Sequence, residues 1–162
     1  MKNLYSMRRT DKQITNSSDI ELIIKKSLVC RLALTKDNIP YLVPVSFGYD
    51  GKSLYVHTAK EGKKIEYIHA NNLVCFEFDI NVKTIEHESI ACKWTTSYQS
   101  VIGYGRMNEI IDLEEATYGL NQIMLQYSGK EWELTEQMLN TIKLWKIEIE
   151  EFSGKESAMK LF

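Results

Sequence analysis

The sequence predicts a mainly β fold: an antiparallel barrel of six strands with short helices at its periphery. Three observations carry this. From Val29 the pattern turns from helical to strand-like, with runs over 29–34, 41–49 (rich in β-branched and aromatic residues) and 54–58, and Val74, Phe76 and Phe78 alternate with Cys75, Glu77 and Asp79. Asp50 and Gly51 form a tight hairpin signal, because such a turn needs positive φ. A last alternating run, with Trp145, Ile147 and Ile149 against Lys146, Glu148 and Glu150, arrives late enough to close the sheet from far along the chain. The helical segments are short, so a doubly wound parallel sheet is not expected.

The elements follow in order. Residues 1–16 are polar and read as an N-terminal arm of a single domain spanning 1–162. Ser18 with Glu21 makes a capping box, and Ile20, Ile23 and Ile24 then keep helical spacing to Lys26. Strands at 29–34, 41–49 and 54–58 form a meander, with a turn at 36–38 between the first two. Pro44 lacks an amide donor, so the second strand is interrupted or bordered by something other than a strand. A short helix over 63–70 stops at Asn71 and Asn72. Val74, Phe76 and Phe78 mark a fourth strand, and 81–94 reads as a long loop. Residues 100–107 make a fifth strand, whose Gly103 and Gly105 clear room for a close neighbour, backbone or ligand. Asp112 with Glu115 caps a helix that Ser128 and Gly129 end, and Thr135 caps a third short helix to about Asn140.

Composition removes several function classes. The formal net charge is −2, which lacks the basic face that nucleic-acid binding needs. No run approaches the roughly 20 apolar residues of a membrane span, and residues 1–13 lack a signal-peptide apolar core. A cytoplasmic protein without membrane association is expected. Three cysteines, Cys30, Cys75 and Cys92, include no C-x-x-C pair, so neither a disulfide framework nor a metal site is expected. Cys30 and Cys75 sit in apolar strand runs as small hydrophobes. No nucleophile elbow, Walker loop, zinc-protease motif or dinucleotide fingerprint is present.

The richest stretch is residues 54–72. A strand ends, Gly62 lets the chain turn, and Lys63 and Lys64 open a helix. Two lysines oppose the positive end of a helix dipole, and a bound phosphate reverses that sign. A solvated helix start is the plain alternative. His57 reads either as a hydrogen-bonded strand histidine or as a ligand donor near those lysines that passes a proton near neutral pH. Trp94, Ser97, Tyr98, Gln99 and Ser100 make a polar and aromatic cluster, either a self-packed loop or a place for a flat ring beside hydroxyl donors. Arg8 and Arg9 read as solvated charge or as an arm over a phosphate. His69 and His87 read as surface residues.

The segments MRRTDKQI, VCRLAL, YLVPVSFGYDGKSLYVHTAKEGKKIEYIHANNLVCFEFD, the stretch from Cys92 to Gly105, SGKEW and IEEFSGKE keep an order and spacing that resembles the pyridoxamine phosphate oxidase-like flavoproteins. The branch resembled is that of the nitroimidazole-resistance proteins. The resemblance covers nearly the whole chain. It implies a split β-barrel homodimer with FMN in two clefts at the subunit interface. Carried over by position, it sets Val43, Pro44, Val45 and Ser46 along the isoalloxazine edge and His57 and Thr58 in the pocket. Lys63 and Lys64 would hold the phosphate, and Ser97, Tyr98, Gln99 and Ser100 would close the site, from the same or the other subunit. His57 matches a pocket histidine of the nitroimidazole-resistance relatives and becomes the candidate proton source. The chain ends IEEFSGKESAMKLF, without the arginine-containing segment of true pyridoxamine phosphate oxidases, so vitamin B6 oxidation is not the activity expected.

The expected function is an FMN-dependent oxidoreductase acting on a small molecule, nitroaromatics among the acceptors. A non-catalytic flavin- or haem-binding module, with His57 as an axial ligand, is the first rival. A cofactor-free interaction protein is the second.

Overall fold

The structure, a computed structural model, describes residues 7–157. Residues 1–6 of the expected arm and 158–162 lie outside the described residues. Eight strands form one antiparallel sheet: β1 (Gln13–Ile14), β2 (Cys30–Lys36), β3 (Ile39–Val45), β4 (Gly48–Tyr49), β5 (Ser53–Thr58), β6 (Leu73–Ile85), β7 (Thr95–Ile110) and β8 (Lys143–Ser157). Six are long and two are two-residue pieces. The helices are α1 (Ser17–Lys26), α2 (Lys63–Ala70), α3 (Leu113–Ser128) and α4 (Glu136–Leu139).

Strand order is β3-β2-β6-β7-β8-β5-β4, with β1 added to β8. The two edge strands, β3 and β4, are consecutive in the chain and joined only by Ser46 and Phe47. Three residue steps reach at most about 11 Å, so the sheet must curl until its edges nearly meet. β3 and β4 do not pair, and the barrel stays split.

This corrects the simple meander. β2 and β3 form the expected hairpin, and Asp37 and Asn38, both at positive φ, make its two-residue turn. The second predicted strand, however, breaks after Val45, and β5 pairs with β4 and β8. Pro44 marked the interruption, and β3 is indeed an edge strand. The β4–β5 turn is as expected: Gly51 has φ 95°, and the Asp50 carboxylate accepts from the amides of Lys52 and Ser53 and from the Tyr55 hydroxyl.

The predicted loop over 81–94 is also shorter. β6 continues to Ile85 and β7 begins at Thr95, so the non-strand connection is residues 86–94, with a 3₁₀ turn at Ala91–Lys93. A bulge between Ile80 and Lys83, with Asn81 at φ 57°, redirects β6. α1 starts earlier than its capping box predicts, because Asn16 accepts from the Ser18 amide. The caps at Asp112 and Thr135 and the left-handed Gly129 stop are as expected. The polar arm is not free throughout, since Gln13 and Ile14 pair with β8.

The barrel interior is filled by Leu32, Leu34, Phe47, Leu54, Val56, Phe76, Phe78, Val101, Met107, Trp145 and Ile147, with Ile20, Ile23 and Ile24 of α1 packed into the same core. Gly103 and Gly105 serve this core and no ligand. A Cβ on Gly103 would meet the Phe76 ring at 2.2 Å, and one on Gly105 the Glu148 carbonyl oxygen at 2.4 Å. A second cluster, Tyr55, Ile110, Ala116, Ile123, Leu139 and Leu144, lies under α3.

Candidate functional site

β5 delivers His57 and Thr58 to one end of the barrel, and the next turn opens α2. Gly62 caps that helix at φ 124°, a conformation costly for any side chain, and supplies no capping oxygen. The Ile65 and Glu66 amides donate to the Gly62 carbonyl, and those of Lys63 and Lys64 have no acceptor among the described residues. Neither Lys63 nor Lys64 pairs with a carboxylate among the described residues. The Lys63 ammonium lies 4.7 Å from the Tyr41 ring centroid and 5.5 Å from that of Tyr67. These π faces hold the cation at the helix start without neutralising it. Burial lowers the pKa of Lys64.

His57 reaches solvent on the outer face, yet crowding by neighbouring protein, and then the charge of Lys64, lower its pKa. Its side chain makes no hydrogen bond among the described residues, so the reading as a satisfied strand histidine is not the one found. The Lys63 ammonium over the Tyr41 ring ties the start of α2 to β3, and the Lys64 charge acting on His57 ties it to β5. β3, His57 and the start of α2 therefore share one corner. There Pro44 and Ser46 are exposed, Val43 is half-buried and Val45 is buried in the core. Beyond the β2 pairing, the outer edge of the β3 backbone is free among the described residues.

Two expected residues behave differently. Thr58 points away from His57, into the barrel, where its hydroxyl accepts from the Trp145 indole at 2.9 Å and donates to the Ala59 carbonyl. Its side chain is a structural bolt at this corner. Ser97, Tyr98, Gln99 and Ser100 lie on β7, far from the corner. His57 pairs with Leu144, which pairs with Ile110 at the other end of β7. From Ser100 to Ile110 is roughly 33 Å of strand, so one chain does not bring the two groups together.

Residues that sequence reasoning missed include Tyr41 and Tyr67, which seat Lys63, and Tyr127 of α3. The Tyr127 hydroxyl accepts from the Phe47 amide at 3.1 Å and donates to the Leu28 carbonyl at 2.9 Å. It pins the β3-to-β4 crossover from 80 residues away, a distance no local signal spans. Arg9 pairs with Asp11, which ties that part of the arm's charge locally.

The chain is thus an antiparallel split barrel with a cationic, glycine-capped helix start beside an open strand edge. The sequence profile of the pyridoxamine 5′-phosphate oxidase family matches residues 16–156, and the chain belongs to that family. Among solved structures, a candidate 5-nitroimidazole antibiotic resistance protein from Bacteroides thetaiotaomicron is similar at 30% identity and TM-score 0.79, over 89% of this chain and 86% of that one. An FAD-binding protein from Mesorhizobium loti is 26% identical at TM-score 0.65, over 91% and 98% of the two chains. A flavocytochrome from Azotobacter vinelandii shares the fold at TM-score 0.80 and 13% identity, over 98% of this chain and 75% of that one. No curated protein matches the sequence. Among the described residues, no helix is long and apolar enough to cross a membrane.

Proposed function

We propose that this protein is a flavin-dependent oxidoreductase that binds FMN at the corner between β3, β5 and α2 and works as a homodimer on a small acceptor. The observation that carries the reading is the seat at α2: two lysines unpaired with carboxylates among the described residues, their two backbone amides without acceptors there, and a side-chain-less cap. That donor set fits a phosphate monoester. Family membership and the FAD-binding neighbour from Mesorhizobium loti support a flavin as its bearer. The free edge of β3 from Val43 to Ser46 offers backbone donors and acceptors suited to the rim of a flat heterocycle, Pro44 supplying only its carbonyl. A bound flavin supplies the electron chemistry, and the protein supplies orientation and proton control. His57, held neutral at pH 7 by its lowered pKa, offers one ring N–H and one ring acceptor, which suits moving a proton to or from a substrate atom.

The homodimer is supported by the outer sheet face. Leu42, Ala33, Cys75 and Tyr104 fall in one cross-strand row, and Pro44, Arg31, Glu77 and Ile102 in the next. Leu42 is 61% and Ile102 44% exposed; these uncovered apolar side chains flank the Arg31–Glu77 ion pair, a mix of apolar and charged groups that an interface can use. A second copy joined on this face would bring its own Ser97, Tyr98, Gln99 and Ser100 toward the corner that they do not reach within one chain.

The experiment is turnover of nitroaromatic acceptors by FMN-loaded protein and by His57→Ala. The proposal expects turnover by the first and a fall of ten- to a hundredfold in the second with FMN still bound. Flavin binding without turnover of any acceptor would favour the carrier reading. Equal rates in the two proteins would remove His57 from the chemistry.

A further inference from the structure

We propose that the small pocket between α3, α4, the end of β7 and the start of β8 receives the apolar part of the acceptor molecule, so that the acceptor is a compact neutral compound carrying a hydrocarbon ring or a short branched alkyl group. The inference rests on the reading of His57 as the residue that moves the proton. The pocket measures about 120 Å³, and Ile110, Leu113, Ala116, Leu139, Ile142 and Leu144 supply its apolar lining. A cavity of roughly 150 Å³ walled by aliphatic side chains holds benzene, so this pocket matches a group of that size or slightly smaller. Ile110, Ala116, Leu139 and Leu144 are buried members of the second apolar cluster and fix its walls in place.

Strand register sets this pocket beside His57. His57 pairs with Leu144, and Leu144 pairs with Ile110, so the three form one cross-strand row on the same face of the sheet. Tyr55, two residues before His57 on that face, belongs to the same cluster as Leu144 and Ile110. His57 and Ile110 are two strand spacings apart, roughly 10 Å, a gap that a substituted aromatic ring spans. The charges in the lining cancel. The Lys143 ammonium donates to both oxygens of the Glu109 carboxylate at 2.8 Å, and both side chains are half-buried. A pair closed in this way leaves no net charge for an ion to answer, and the pocket selects a neutral group. Ile111 and Leu113 also line it, at 87% and 47% exposure, and carry the apolar surface out to solvent. The cover on the α4 side is one short turn in which Leu139 is the buried residue. A mostly aliphatic lining with a few placed polar groups is the make-up of a small-molecule subsite.

The test is an NMR titration of the full chain, without added flavin, with toluene as the probe and the His57 ring protons as the reporter. Saturable binding that shifts the His57 signals is expected. Ala116→Leu fills the pocket from α3 and is expected to weaken toluene binding at least tenfold. Leu139→Ala enlarges it from α4 and is expected to bind the larger probe indole at least tenfold more tightly than the parent does, so the assignment does not rest on a loss alone. Absence of saturable toluene binding by the parent would overturn the proposal, as would binding that leaves the His57 signals unmoved, or affinities unchanged by both substitutions. The titration needs no flavin, so a failure of the flavin reading shows separately, as absence of turnover in FMN-loaded protein.

Discussion

At the scale of single residues, His57 and Lys64 are electrostatically joined. Crowding lowers the His57 pKa first and the Lys64 charge lowers it further. Lys64→Met is therefore expected to raise the His57 pKa without fully restoring its ordinary value, as read by NMR titration of the ring protons; an unchanged midpoint would separate the two groups. The sign for stability follows. A histidine whose folded pKa is depressed destabilises the fold on acidification, beginning near the unfolded value of about 6.5. Lys64→Met should thus shallow that slope. Tyr49 offers a cleaner test of packing. Its hydroxyl is buried without a partner among the described residues, and its pKa is pushed up to about 12 by burial, then by Glu21 and Asp50. Tyr49→Phe removes an unsatisfied group and should be neutral or stabilising by about 1 kcal/mol in chemical denaturation. A loss of 2 kcal/mol or more would show that the hydroxyl has a partner in solution.

At the scale of elements, α3 sets the crossover that splits the barrel. Gly48 lies so close to α3 that an added Cβ would meet the Gln122 carbonyl carbon at 2.3 Å and the Ile123 amide nitrogen at 2.4 Å. These are backbone atoms and cannot rotate away. Gly48→Ala should cost about 3–5 kcal/mol of stability and weaken flavin binding with it, because Val45 and Ser46 sit just before the same crossover. A variant as stable as the parent would mean that α3 yields easily. The hairpins, the caps at Asp112 and Thr135, and the α2 lysines were legible in sequence because each rests on neighbours a few residues apart. The break after Val45 was only half legible: Pro44 signalled it, but a run of β-branched and aromatic residues does not reveal which edge each half joins. The extension of β6 to Ile85 and of β7 back to Thr95 was hidden because residues 81–84 are exposed on both faces and Val82, Ile85 and Trp94 follow no two-residue period. Without that register, the separation of Ser97–Ser100 from His57 could not be foreseen. Asn16 and Ser18 are both good caps, and the choice between them depends on how the chain enters from β1.

At the scale of the whole molecule, the proposed cofactor site takes two chains. The α2 seat and the β7 cluster lie at opposite ends of β7, and the uncovered face bearing Leu42 and Ile102 is where a second copy would join them. Ile102→Lys sets a charge on that face, beside Glu77 in the cross-strand row. It is expected to shift light-scattering mass from dimer toward monomer and to weaken FMN binding at least tenfold, with the far-UV spectrum unchanged. A monomeric variant that binds FMN as tightly as the parent would sever assembly from the site. The fold itself follows from the chain's own pairing, since the edges β3 and β4 are held close by two residues whatever the oligomeric state.

The central claim is that the α2 start seats a flavin phosphate, and the most direct measurement is the absorption spectrum after adding FMN and removing the excess. The parent protein should retain flavin bands. Replacing each lysine removes a charge-assisted contact worth about 1.5–3 kcal/mol, or roughly ten- to a hundredfold in affinity, so Lys63→Met with Lys64→Met should elute colourless. A parent protein that retains no flavin, or a double variant that retains it as well as the parent, would contradict the account.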